Sequence, residues 1–272
     1  MRVWTFAVLL TIFSAPAWAQ SAPQPQSAPQ PQTPRDFRVV TGGGAIFAPS
    51  YEGSDRMKLR PLPLFEIDWR DTVYLDARRG LGVNAITLTD TNGRGAFRAG
   101  PLLNWRMARD QDEDSDLRGL GDVKGGVDLG GSASYEYGRL SLNLLGRKNV
   151  SHTELGANIE LAARYKMRLP TGTMVNFGPS VSWASAEYMR AYFGVTTDQS
   201  RRSGLSAYTP SSGIKDFGLS AMAMHRLGAA WSLVGMGGYT RLVGDAADAP
   251  LVKERGSANQ MRVGIGISYR LY

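Results

Sequence analysis

The sequence of 272 residues contains no cysteine and only two histidines, His152 and His225. Without cysteine there is no disulfide, so a folded domain must be held by hydrogen bonds and packing alone. Two histidines and no thiolate do not make a soft-metal centre, and no metal or other cofactor is expected. A catalytic triad is equally hard to assemble. A nucleophile and a base must lie within hydrogen-bond reach, and although Ser151 precedes His152, sequence neighbours need not face each other. The chain is therefore read as non-enzymatic. Long apolar runs are missing after residue 19, which excludes a spanning helix there, because such a helix needs about 20 apolar residues. The net charge is +7, but there is no basic run and no recognition helix, so no nucleic-acid partner is expected.

The two ends of the first forty residues carry their own signals. Arg2, the apolar stretch Val3 to Phe13 and the Ala17-Trp18-Ala19 site before Gln20 read as a cleavable export signal over 1–19. An uncleaved anchor is opposed by the shortness of that stretch. Residues 20–35 are rich in Pro and Gln, with SAPQPQ at 21–26 repeated at 27–32. Such a segment cannot build a core and favours extended polyproline II, as a spacer or as a periplasmic tether. Nothing inside 36–272 resembles a linker, so that range is one domain.

What is present in abundance is alternation. From Leu155 to Leu169, Leu155, Ile159, Leu161, Tyr165 and Met167 share one parity, while Asn158, Glu160, Arg164, Lys166 and Arg168 share the other. A strand separates these sets onto two faces, and a helix scatters them. The same pattern runs through 97–107, 140–144, 175–183 and 261–271. These stretches exceed the usual strand of a soluble domain and match the roughly 9–11 residues of a tilted membrane strand. Charges on the second face would be costly in a dry sandwich core or a lipocalin-like cup but are tolerated around a wet lumen. The mean hydropathy of −0.23 is compatible with this, since half of each barrel strand faces a polar interior. The reading is all-β: a transmembrane antiparallel up-and-down barrel in the bacterial outer membrane.

Twelve strands are predicted, at 37–47, 57–69, 72–78, 80–89, 96–107, 122–137, 139–148, 155–169, 173–187, 215–227, 231–243 and 259–272. In the fourth, Ile86 and Leu88 break the alternation. Short connections (70–71, 138, 170–172, 228–230) alternate with long ones (108–121, 188–214, 244–258), as periplasmic turns alternate with extracellular loops. Tyr135, Tyr137, Trp183, Trp231 and Tyr239 fall near strand ends, where an interfacial girdle is expected.

Several blocks resemble the MipA/OmpV family of outer-membrane proteins. The opening block spans 43–63, with Pro49, Tyr51, Gly53, Ser54 and Asp55 followed by Pro61 and Pro63. Further blocks are Tyr192-Phe193-Gly194-Val195 with Ser203-Gly204-Leu205 and Tyr208, then Tyr239 to Leu242 with Gly244-Asp245-Ala246 and Pro250-Leu251-Val252, and finally Gly264 to Arg270. In the family an aromatic residue directly follows the terminal Tyr-x pair. Here Tyr269 is followed by Arg270, Leu271 and then Tyr272, an insertion signal offset by one residue. The resemblance implies an interaction scaffold joining a murein transglycosylase to a murein synthase, or else a porin-like protein, an adhesin or an antigen. It supplies no catalytic motif.

The faces assign further roles. Arg98, Arg106, Lys124, Arg164, Lys166, Arg168 and Arg262 are predicted to face the lumen with Glu66 and Asp68, and the basic excess implies a weak anion preference if the lumen conducts. Twelve strands lie between filled small barrels and open porins, and the 188–214 loop could fold inward as a plug. Asp110, Asp112, Glu113, Asp114 and Asp116 form an acidic cluster, either a solvated loop or a divalent-cation bridge to lipopolysaccharide phosphates. Membrane lipid and lipopolysaccharide are the expected surroundings.

Overall fold

The computed structural model describes residues 37–271; the export-signal and Pro/Gln readings, and Tyr272, lie outside the described residues. Thirteen strands form one antiparallel sheet that closes on itself: β1 (Phe37–Pro49), β2 (Met57–Trp69), β3 (Val73–Asp76), β4 (Gly80–Val83), β5 (Ile86–Thr89), β6 (Gly95–Arg106), β7 (Gly126–Tyr137), β8 (Leu140–Asn149), β9 (Ala157–Arg168), β10 (Thr173–Ala184), β11 (Gly213–Arg226), β12 (Trp231–Leu242) and β13 (Asn259–Arg270). β1 pairs with β13, and β4 and β5 both pair with β6. The last two are segments of one wall strand, so the barrel has twelve strands. Among the described residues no helix is long and apolar enough to cross a membrane.

The pairing registers fix which side chain faces where. On β9 the alternation puts Ile159, Leu161, Ala163 and Tyr165 outside, where Ile159 and Leu161 are exposed to the surroundings, and Glu160 and Arg164 beside an internal cavity. Across β13 the outward side chains are Met261, Val263, Ile265 and Ile267, each exposed by 43–60%. Such a band of large apolar side chains would be an aggregation hazard in water and is what a bilayer requires. Aromatics close the band at one end: Trp231 lies opposite Tyr269 with ring centroids 4.7 Å apart.

The break in alternation after Val83 has a direct structural cause. Leu81 pairs with Leu103 and Gly82 with Leu102, whereas Ile86 pairs with Ala99 and Thr87 with Arg98. The register therefore slips by one residue between Gly82 and Ile86, around Asn84 and Ala85. An extra residue in one strand is a β-bulge, and it restores the outward face that a strict count of two would have inverted. Asn84 is fixed there by its N–H and side-chain amide, which donate to the carbonyls of Thr72 and Asp71, each at 2.7 Å.

Connections alternate as expected. One end carries tight turns: Arg70 and Asp71, both at φ +54°, make the two-residue reversal between β2 and β3. The other end carries the long loops, and by the rule for outer-membrane barrels it faces outward from the cell. The structure shortens several predicted strands there. β7 begins at Gly126 rather than 122, which moves Lys124 off the wall into an exposed connection. Leu155 is not on the lipid face; it is buried in a 3-10 turn, Thr153–Leu155. The loops contain four helices absent from the strand-based reading: α1 (Ala186–Phe193), α2 (Thr197–Ser203), α3 (Gly244–Asp248) and α4 (Pro250–Arg255).

Candidate functional site: a capped lumen

The loop helices form where local chemistry starts and stops them. The Ser185 side chain accepts the Tyr188 N–H and caps α1. Thr196 and Gln199 make a reciprocal capping box on α2, which ends at Gly204 in the left-handed region. Pro250 opens α4, where a missing N–H costs nothing. On α1, Met189 and Phe193 are one turn apart and both essentially inaccessible. They pack with Ala184, Leu242, Ala246, Ala249 and Val252. A second buried cluster joins Tyr51, Leu117, Leu120, Val195, Leu205 and Leu251. Segments from four connections thus share two dry cores and roof the loop end of the barrel. The 188–214 loop is folded into α1 and α2 and packs into both clusters, and Tyr188 of α1 reaches the lining of the cavity below.

The family-like motif near the start of the chain is the keystone of this cap. Pro49 ends β1. Tyr51 is buried and its hydroxyl donates to the Arg255 carbonyl at 3.4 Å. Gly53, at φ +100°, donates its N–H to Gln260 Oε1 at 3.1 Å. A side chain there would be strained and would meet Val252 of α4. Ser54 is buried and pairs with Gly256 in an isolated bridge, while Asp55 points to solvent. Burial pushes the Tyr51 and Tyr188 hydroxyls well above the ordinary tyrosine range, with Asp116 and Glu52, respectively, adding to it.

The acidic cluster is only partly solvated, because some of its carboxylates are drawn into the cap. Asp114 is buried, accepts from the Ser50 hydroxyl at 2.5 Å and pairs with Arg56 at 3.1 Å. Asp116 also pairs with Arg56, and Glu113 lies 3.4 Å from Arg60. Burial raises the Asp114 carboxyl, but the Ser50 hydroxyl, the Asp116 N–H and the charges of Arg56 and Lys58 outweigh it and hold it below its ordinary value. Asp110 and Asp112 remain exposed. Among the described residues no group of three or more potential ligands could hold a metal ion.

Below the cap lies a polar latch that strand parity does not foretell. Ser182 pairs with Asp216, but Trp183 pairs with Ile214, so Lys215 is an extra residue in β11. This second bulge turns both Lys215 and Asp216 inward, 6% and 5% exposed. The Lys215 ammonium pairs with Glu52 and, at 2.6 Å, with Asp216. Tyr188 donates to the other Glu52 oxygen at 3.1 Å. The latch therefore joins the first loop, α1 and the barrel wall. Beside it, Arg106 pairs with Asp128 at 3.0 Å, and Asn149 donates to the same carboxylate at 2.9 Å.

The remaining charges assigned to the lumen are distributed along it. Lys166 pairs with Glu136 at 3.0 Å, and Glu66 and Asp68 lie 2.5 and 3.9 Å from Arg38 near the turn end. Arg164 donates to the Gly178 and Pro179 carbonyls at 3.1 and 2.8 Å. Arg98 stands opposite Ser134 and Arg168 opposite Met174. Arg262, with Arg164, lines a cavity of about 660 Å³ beneath the cap. Lys124 takes no part. Tyr269 stacks on Trp231, and the Leu271 N–H donates to the Val39 carbonyl at 2.9 Å, which extends the β1–β13 seam. The histidines stand apart from each other in their contacts. His152 lies 3.5 Å from Glu154, and His225 shares a hydrogen bond with Thr173 at 2.9 Å. The Ser151 hydroxyl accepts the Val127 N–H.

MltA-interacting protein of Escherichia coli K12 is 29% identical over 236 residues, covering 86% of this chain and 90% of its own length. Outer membrane protein OmpV of Vibrio cholerae is 27% identical over 60% of this chain and 61% of its own length. Among solved structures, an outer membrane channel from Pseudomonas putida F1 gives a TM-score of 0.44 at 14% identity, covering 86% of this chain and 94% of the channel. The protein is a β-barrel of the bacterial outer membrane. A sequence model described as MltA-interacting protein MipA matches residues 41–271, and the chain belongs to that family.

Proposed function

We propose that this barrel is a non-catalytic scaffold of the outer membrane that docks murein-remodelling enzymes at its turn end. The observation that carries this reading is the cap: two dry clusters and the Lys215 latch close the loop end, an arrangement suited to a fixed platform. The name of the Escherichia coli relative, which speaks of interaction with MltA, supports the same direction. In this reading residues 1–19 direct export and 20–35 serve as a periplasmic tether. The docked partners are a murein transglycosylase and a murein synthase.

The test is affinity capture with purified murein transglycosylase and synthase, using the full chain, a variant lacking 21–34 and an unrelated barrel as control. Enrichment by the full chain that falls in the deletion variant supports the reading. Capture no better than the unrelated barrel sinks it. A second reading, a gated channel for small solutes, is favoured by the cavity beneath the cap. It requires conductance of the intact protein in a planar bilayer, and a silent bilayer removes it.

A further inference from the structure

The cavity beneath the cap is lined by six cationic side chains, Arg60, Arg78, Arg147, Arg164, Lys215 and Arg262, against three carboxylates, Glu52, Glu160 and Asp216. The internal pairs account for all three acids. Glu52 and Asp216 flank Lys215, and Arg78 reaches from the β3–β4 turn across to Glu160 of β9 at 2.5 Å. Arg60 turns up into the cap, to the Ser50 carbonyl and Glu113. Three guanidinium groups make no direct ion pair among the described residues, although Arg147 and Arg164 both feel Glu160, which Arg78 already holds, and Arg147 also feels Asp128. Arg147 has its Nε buried without a partner, and its one hydrogen bond among the described residues is to the Arg78 carbonyl at 3.5 Å. Arg164 donates only to backbone carbonyls. Arg262 makes no hydrogen bond or ion pair among the described residues.

Arg147 and Arg164 are half-buried and so carry a desolvation cost, whereas Arg262 is exposed within the cavity lining, where it adds a third like charge to the same space. Arg147 and Arg164 stand on β8 and β9, and Arg262 stands on β13. Between them, β10 to β12 present the hydroxyls of Ser180, Ser182, Ser220 and Thr240 to the same cavity. Guanidinium forks match the planar oxygens of carboxylate and phosphate, and hydroxyls complete their remaining bonds. The Met222–Met236 pair on the same wall gives an apolar patch for a carbon skeleton.

We propose that the capped lumen is a binding site for a soluble oxyanion, a phosphate- or carboxylate-bearing small solute, held by Arg147, Arg164 and Arg262. The site stands on the cavity alone and does not depend on docking of a murein enzyme or on conductance. Lipid phosphate is the other source of the same chemistry, but the closed sheet stands between the lumen and the surrounding lipid.

The experiment is calorimetric titration of the full chain, in an uncharged maltoside detergent, with inorganic pyrophosphate and with citrate. Saturable binding that weakens with added salt is expected. R262Q should reduce affinity about tenfold or more, the worth of one charge-assisted hydrogen bond. This variant breaks no ion pair, so its folded, heat-modifiable band should be unchanged. R147Q should act in the same direction, while K124Q, on an exposed connection, should leave affinity as it was. Absence of saturable binding to both probes overturns the proposal, as does unchanged affinity in R262Q, or equal loss in K124Q. Binding confined to lipopolysaccharide-containing vesicles, with none to soluble pyrophosphate, overturns it as well.

Discussion

Lys215 shows how one inserted residue organises the loop end. Its ammonium offsets two carboxylates in a place where water is largely excluded. Removing it leaves Asp216 buried, and Glu52 partly buried, without their counter-charge. Lys215→Ala is expected to weaken cap closure by about 3–5 kcal/mol, as for other broken buried pairs, read as faster hydrogen exchange in 50–56 and 186–193. Replacing Glu52, Lys215 and Asp216 together by Gln, Met and Asn should cost far less, because no charge is then stranded. Asp114 makes a pH-dependent contribution. Its folded pKa is depressed below the ordinary 3.8, so its stabilisation is complete above that value and is lost as pH falls through the folded value. Hydrogen exchange of 107–125, corrected for its intrinsic rate, should therefore accelerate below about pH 4. Asp114→Asn should abolish that transition and loosen the loop at neutral pH. None of these roles could be read from residue types. Parity counting allows only one of Lys215 and Asp216 to face inward, and the partners of Asp114 come from a loop about sixty residues away in sequence.

The elements were legible to different degrees. β9 and β13 were readable because lipid on one side and a wet lumen on the other impose opposite chemistry on successive residues. Strand ends were read less well. Alternation continues through Leu155 and Lys124 by coincidence, while local turn chemistry and contacts across loops decide where pairing stops. The inversion at Ile86 and Leu88 was visible as an anomaly, but its meaning required the register. Deleting Ala85 should remove the bulge and send Ile86 and Leu88 toward the lumen. The expected result is a barrel that fails to gain its heat-modifiable band, whereas a conservative Ala85→Ser change should assemble normally. The helices of the cap were not legible as amphipathic repeats, since α2 to α4 are two turns or less and take their stability from shared burial. Phe193→Ala should therefore cost about 3–5 kcal/mol locally. Trypsin should then cut within 190–202, while the strands stay protected.

At the scale of the whole molecule, sheet closure and the apolar outer band place the chain in a bilayer, and the folded loops separate its lumen from the outside. The proposed docking and the proposed anion binding would use one rigid object, the first at its turn end and the second beneath its roof. Both presuppose that successive side chains of the wall meet different solvents. The chain contains no cysteine, so single cysteines can be placed along β9 from 158 to 167 without background. Reconstituted in liposomes, the single variants Ile159→Cys, Leu161→Cys, Ala163→Cys, Tyr165→Cys and Met167→Cys should react with a lipid-soluble maleimide. Cysteine replacements at 158, 160, 162, 164 and 166 should be shielded from it. Labelling with no period of two, or reactive positions grouped at a spacing of three to four, would contradict the barrel and everything built upon it.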